Sequence, residues 1–127
     1  MTRILIVDDD VMVRITARLL LEEAGYEVVE ANGGAAALRM LPALDVELVL
    51  CDLFMPDVDG LEVIDKLRRK RPDLKIVAMS GGGFDGTVNM LPVAQRLGAA
   101  EIVQKPFVRR ALLDAIDRAL HRPPDAS

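Results

Sequence analysis

Residues 46–57 read VELVLCDLFMPD. An apolar run from Val46 to Cys51 ends on a carboxylate, Asp52. An acid at the end of a buried strand is costly unless it is paired or used. Other polar residues stand in comparable places, each just beyond an apolar run. Asp8 and Asp9 follow RILIV, Ser80 and Gly81 follow LKIVAM, and Lys105 and Pro106 follow EIVQ. Three carboxylates in one pocket repel each other and raise each other's pKa. A hard divalent cation relieves this, and Mg2+ takes oxygen ligands from one or two carboxylates, waters and a phosphate. The Lys105 ammonium supplies a point charge for an anion. The Ser80 hydroxyl and the Gly81 backbone N–H can hold a further oxygen. The set reads as a site for a phosphoryl group beside a metal ion, with Asp52 placed to attack phosphorus and form an acyl phosphate.

These residues meet only if the runs before them are neighbouring strands. The pattern predicts strands at 3–7, 26–31, 47–51, 74–79 and 101–104, the first of them, RILIV, continuous like a strand buried on both faces. Helices fall between them. Asp10 is the predicted cap of a helix over 11–24, with Val11, Ile15 and Leu19 on one face and Gly25 at its end. Asn32 is the predicted cap of a short Ala-rich helix that stops near Pro42. Leu61, Ile64 and Leu67 mark a third helix that closes before Pro72. A Gly-rich loop precedes a fourth helix, ended by Gly98. Pro106 starts the last helix, with Leu112, Leu113, Ile116 and Leu120 inward. Strands alternating with helices give an α/β fold, a five-stranded parallel sheet covered on both faces by five helices. Sites in such sheets lie beyond the carboxyl ends of the strands, where the residues above gather. The second strand ends in Ala31 and offers no candidate.

The chain has 127 residues, with 51% hydrophobic and 28% charged side chains and a formal net charge of −4. That suits one domain over 1–121 with a flexible tail over 122–127. The charge argues against direct nucleic-acid or membrane binding. A single cysteine, Cys51, excludes an intrachain disulfide and reads as a small core residue. It fits a reducing, cytoplasmic setting.

VDDD (7–10), CDLFMPDVDG (51–60), SGGG (80–83) and QKPF (104–107) together resemble the motifs of bacterial two-component response-regulator receiver domains, of the stand-alone chemotaxis-regulator kind. The resemblance spans nearly the whole chain. It implies a flavodoxin-like, doubly wound sheet of strand order 2-1-3-4-5. It further implies that Asp52 is the phosphoacceptor and Asp9 the direct Mg2+ ligand. Asp8 would act mainly through metal-bound water, and the Phe54 backbone carbonyl would complete the metal's protein ligands. Ser80 becomes the switch hydroxyl and Lys105 the phosphoryl-binding lysine, with a cis bond before Pro106. The implied partners are a histidine kinase or histidine phosphotransfer protein and a downstream target protein, with the chain a monomer or weak dimer. The only catalysis implied is of the chain's own phosphorylation and dephosphorylation.

Two positions depart from the family pattern. Phe54, two residues past the acceptor, is bulky and apolar, which implies exclusion of water and slow self-dephosphorylation. Ile102 stands where the family usually carries an aromatic switch residue, and Phe84 in the Gly-rich loop is a candidate substitute. Three other readings compete. A Mg2+-dependent phosphohydrolase with an aspartyl nucleophile would need an acid at position 54. A nucleotide or flavin binder would need a Gly-rich first loop, and here that loop is acidic. A receiver-like domain that signals without phosphorylation is the third.

Overall fold

Five short strands lie parallel in one sheet: β1 (Arg3–Val7), β2 (Glu27–Ala31), β3 (Leu48–Asp52), β4 (Lys75–Gly81) and β5 (Glu101–Lys105). Their order is β2-β1-β3-β4-β5, as the resemblance implies. The computed structural model describes residues 2–53, 60–81 and 98–121. Four α-helices fall within the described residues: α1 (Val11–Glu23), α2 (Gly34–Met40), α3 (Gly60–Lys70) and α4 (Arg109–His121). The helix expected before Gly98, the Gly-rich loop with Phe84 and the tail lie outside them.

Because successive side chains on a strand point to opposite faces, each strand splits its residues between two cores. Leu5, Val7, Val49, Cys51, Ile76 and Ala78 pack with Ala37 of α2 and Val63, Ile64 and Leu67 of α3. Ile4, Ile6, Leu48, Leu50, Val77 and Met79 pack with Ala17 and Leu21 of α1 and Leu112, Ala115 and Ile116 of α4. Both faces are thus apolar at the centre of the sheet, which is why β1 and β3 read as unbroken apolar runs, whereas the edge strands β2 and β5 carry charged or polar residues. Each fully buried Leu or Ile contributes about 1.5–3 kcal/mol.

Asp10 is the N-cap of α1, its carboxylate accepting from the Met12 N–H at 2.9 Å. Gly25, at φ +97°, takes the left-handed conformation just past the helix. Several expectations need correcting. Val11, Ile15 and Leu19 face solvent, at 53%, 43% and 58% exposure. The core face of α1 is carried by Ala17 and Leu21, with Val13 and Leu20 partly buried against the same cluster. Apolar spacing alone marked a helix face without saying which way it turned. The cap of α2 is Gly33 with no side-chain hydrogen bond, not Asn32. The last helix starts at Arg109, three residues after Pro106. The Lys105–Pro106 bond is cis, as the resemblance implies. Finally, β3, β4 and β5 run one or two residues past their predicted ends, to Asp52, Gly81 and Lys105, while Asp8 and Asp9 lie beyond β1.

The two faces of α1 should respond differently to truncation. Leu21→Ala is expected to destabilise the fold by about 2–5 kcal/mol. Leu19→Ala should stay within about 0.5 kcal/mol of wild type. Urea unfolding of both variants checks this, and equal losses would contradict the orientation of α1.

Candidate functional site

Alternation along the strands decides which candidates meet. Asp8 continues the face of Ile4 and Ile6, Asp52 that of Leu48 and Leu50, and Lys105 that of Val103. All three therefore leave the sheet on the side covered by α1 and α4. Asp8 is fully buried and Asp52 is 3% exposed. Lys105 Nζ bridges them, donating to Asp8 Oδ2 at 2.8 Å and standing 3.3 Å from Asp52 Oδ1. Asp9 completes the group from the exposed rim. One carboxylate oxygen from each of Asp8, Asp9 and Asp52 lies within 4.8 Å of the others.

The electrostatics follow from this packing. Burial opposes the Lys105 charge. The hydrogen bond to Asp8 and the negative charges of Asp52 and Asp8 outweigh burial and hold its pKa above the ordinary lysine value. The sign is clear: a raised lysine pKa adds stability that is fully present at neutral pH. That stability is lost only as alkaline pH rises through the raised value. Three carboxylates against one ammonium leave a formal −2 (−3 + 1). That charge and the all-oxygen donor set fit a hard divalent cation such as Mg2+, which prefers one or two carboxylates plus water. The Cys51 thiol belongs to the residue before Asp52, on the opposite face of β3. Burial first, then Asp52 and Asp8, push its pKa far above the thiol range, so it is not a nucleophile.

Ser80 and Gly81 lie on β4, between β3 and β5. Met79 is level with Asp52, so Ser80 sits one residue farther toward the rim, level with Gln104, and Gly81 is level with Lys105. Ser80 is half-buried, and by alternation it belongs to the face of Ile76 and Ala78, opposite to Asp52. The described contacts thus bring together Asp8, Asp9, Asp52 and Lys105 and place Ser80 and Gly81 on the adjoining strand end. Ile102 is level with Ala78 and packs partly buried on the α2–α3 side. Phe54 lies outside the described residues.

Two residues at the site were not singled out from the sequence. Gly60 opens α3 directly against the end of β3. Its N–H donates to Leu53 O at 3.1 Å, and a Cβ there would stand 2.3 Å from Asp52 O. No side chain fits. A glycine at a helix start is a weak sign of close backbone approach, and the sequence offered that much. Arg14 is the other: its Nη1 donates to the Asp8 carbonyl at 2.7 Å. Glu30 of β2, the strand expected to contribute nothing, holds the same guanidinium at 3.0 Å.

Comparison with known proteins agrees with this geometry. A family model described as a response regulator receiver domain matches residues 4–117. The chain is 32% identical to chemotaxis protein CheY of Listeria monocytogenes, over 94% of this chain and 98% of that protein. It is 36% identical over 90% of its length to the CAI-1 autoinducer sensor kinase/phosphatase CqsS of Vibrio cholerae, of which it spans only 17%. Among solved structures it resembles a CheY-like receiver domain protein from Methanospirillum hungatei, at TM-score 0.84 and 32% identity, covering 94% of each chain.

Removing the ammonium tests the charge balance. Lys105→Met should destabilise the metal-free protein at neutral pH by about 3 kcal/mol, because two buried carboxylates lose their shared cation. Added Mg2+ should recover much of that loss. Urea unfolding with and without Mg2+ measures both effects, and an unchanged midpoint would contradict the account.

Proposed function

The chain belongs to the response regulator receiver family, and from that premise we propose a phosphorylation-controlled signalling module that accepts a phosphoryl group on Asp52. The observation that carries the proposal is the buried Asp52 carboxylate, with Lys105 Nζ 3.3 Å away and two further acids beside it. Receiver domains are phosphoacceptor regulatory domains and typically use Mg2+ in an acidic pocket. Here Asp9, Asp52 and the Phe54 carbonyl would hold the ion, with Asp8 acting through bound water. When bound, it neutralises charge on the transferring phosphoryl oxygens.

The chain's own residues do the rest. An Asp52 oxygen attacks phosphorus in line, and the bond to the donor's histidine nitrogen breaks. The electron pair stays on the imidazole. Lys105 donates to an equatorial oxygen, and its raised pKa keeps it charged throughout the neutral range. The acyl phosphate carries close to two negative charges. Lys105 then has a stronger partner than Asp8, and the Ser80 hydroxyl is one strand away. Their movement onto the phosphoryl group is the switch, and Ile102 on β5 would follow it. Water later hydrolyses the acyl phosphate, releasing inorganic phosphate and restoring the Asp52 carboxylate. Cytoplasmic placement suits the single buried thiol; among the described residues no helix is long and apolar enough to cross a membrane.

The donor is a histidine kinase or histidine phosphotransfer protein, and it needs a seat beside Asp52. α1 starts two residues after Asp9 and exposes Val11, Met12, Ile15 and Leu19 along one face. Val108, 65% exposed, stands three residues past Lys105 on the same rim. This apolar surface bordering the acceptor is the proposed donor seat.

With Mg2+ and a small acyl-phosphate donor, intact mass should show one added phosphoryl group on wild type and none on Asp52→Asn. No addition to wild type under any metal condition would sink the proposal and leave a phosphorylation-independent domain. Replacing Ile15 and Leu19 together by Glu should slow transfer from a phosphorylated histidine phosphotransfer protein by about tenfold or more. Labelling by the small donor should be unaffected, and an equal loss with both donors would reject the docking surface.

A further inference from the structure

Asp9 is the exposed member of the acid cluster, yet the peptides on both sides of it are pinned. On the far side, the Asp10 N–H donates to Asp8 Oδ1 at 2.8 Å. On the near side, the sheet ladder ends with the Asp8 N–H donating to Ala31 O. The Asp8 carbonyl lies beyond that ladder. Arg14, one turn into α1, supplies its donor: Nη1 reaches the carbonyl at 2.7 Å, a short, charge-assisted bond. Since the peptide is planar, fixing this carbonyl also fixes the Asp9 N–H and the direction in which the chain enters Asp9.

The guanidinium is itself held. Its Nε donates to Glu30 Oε1 at 3.0 Å, and its side chain is only 15% exposed. Arg18 Nη1 pairs with the other Glu30 oxygen, and Arg18 Nε reaches Glu22. Burial pushes the Glu30 pKa up, but the hydrogen bonds from Arg18 and Arg14 outweigh it and leave it below the ordinary value. Glu30 therefore remains an anchoring carboxylate at neutral pH.

We propose that Arg14, oriented by Glu30, is a positioning residue for the metal site, setting the Asp8–Asp9 peptide so that Asp9 is pre-aimed at the cation. This rests on the reading of the acid cluster as a Mg2+ site. Arg14 touches neither the metal nor the phosphoryl group, so its loss should weaken cation affinity and leave the chemistry intact once the site is filled.

Calorimetric titration of the metal-free protein with Mg2+ at neutral pH tests this without a phosphodonor. Affinity is thus measured whether or not Asp52 accepts a phosphoryl group. Arg14→Met should weaken binding about tenfold, the scale seen when groups behind metal ligands are removed. Arg18→Met takes a cation from Glu30 but does not touch the Asp8 carbonyl, and should change affinity less than about twofold. Glu30→Gln should fall between them, and carries the test if Arg14→Met does not fold. At saturating Mg2+, labelling of Arg14→Met by the small donor should return to near the wild-type rate. Equal weakening in the Arg14 and Arg18 variants would overturn the proposal in favour of a general stability effect. So would unchanged affinity in both Arg14→Met and Glu30→Gln, or a wild type that takes up no Mg2+.

Discussion

One ammonium holds this structure's most expensive groups in place. Asp8 and Asp52 are almost fully removed from water, and two such carboxylates side by side are unfavourable without a cation. Lys105 reaches both from the edge of the sheet across the end of β4. Much else follows from that requirement. β1 and β3 must end within one residue of each other, β5 must run two residues past the level of Asp52 so that Lys105 is its last residue, and Gly60 must lack a side chain so that α3 can start against Asp52. The lysine satisfies the charge only in part. The remaining −2 and the all-oxygen lining suit a divalent cation.

Strand alternation turns this into a directional device. Asp8, Asp52 and Lys105 share the face covered by α1 and α4, while Ser80 follows the parity of the α2–α3 face on the strand between them. The hydroxyl thus borders the pocket without joining the resting ion-pair group. A new dianionic group on Asp52 would draw Lys105 and Ser80 from opposite faces of the sheet. Such a pull reaches β4 and β5 together, and these strands are paired over five residues from Val77 to Gly81. A local change of charge therefore has a route to the sheet edge.

α1 serves two surfaces at once. Ala17 and Leu21 bind it to the core, and Arg14 and Arg18 tie it to β2 and to the Asp8 carbonyl. Its outer face keeps an apolar stripe in water near the acid cluster. A contiguous exposed apolar surface points to an interaction site. A rigid helix whose inner side fixes the acids can present its outer side to a donor without moving them.

The sequence by itself determined the class of fold, the five strands and the group of acids and lysine at their ends. These are local signals: unbroken apolar runs, a glycine past α1, and charged residues where each run stops. The four motifs taken together also identified the family and implied the strand order that the structure has. Direction and register were beyond local reading. Nothing in the spacing of Val11, Ile15 and Leu19 says whether that face meets the sheet or the solvent, because both cases produce the same apolar period. That choice belongs to the packing of α1 against α4 and the sheet. The tie from Arg14 to the Asp8 carbonyl and the contact of Gly60 with Asp52 were hidden for the same reason. Each joins a side chain or a missing one to the backbone of another element, and backbone groups look alike in every sequence. Tertiary structure alone placed Asp8, Asp52 and Lys105 on one face, because only strand pairing fixes which residues of neighbouring strands share a face and how far each strand reaches.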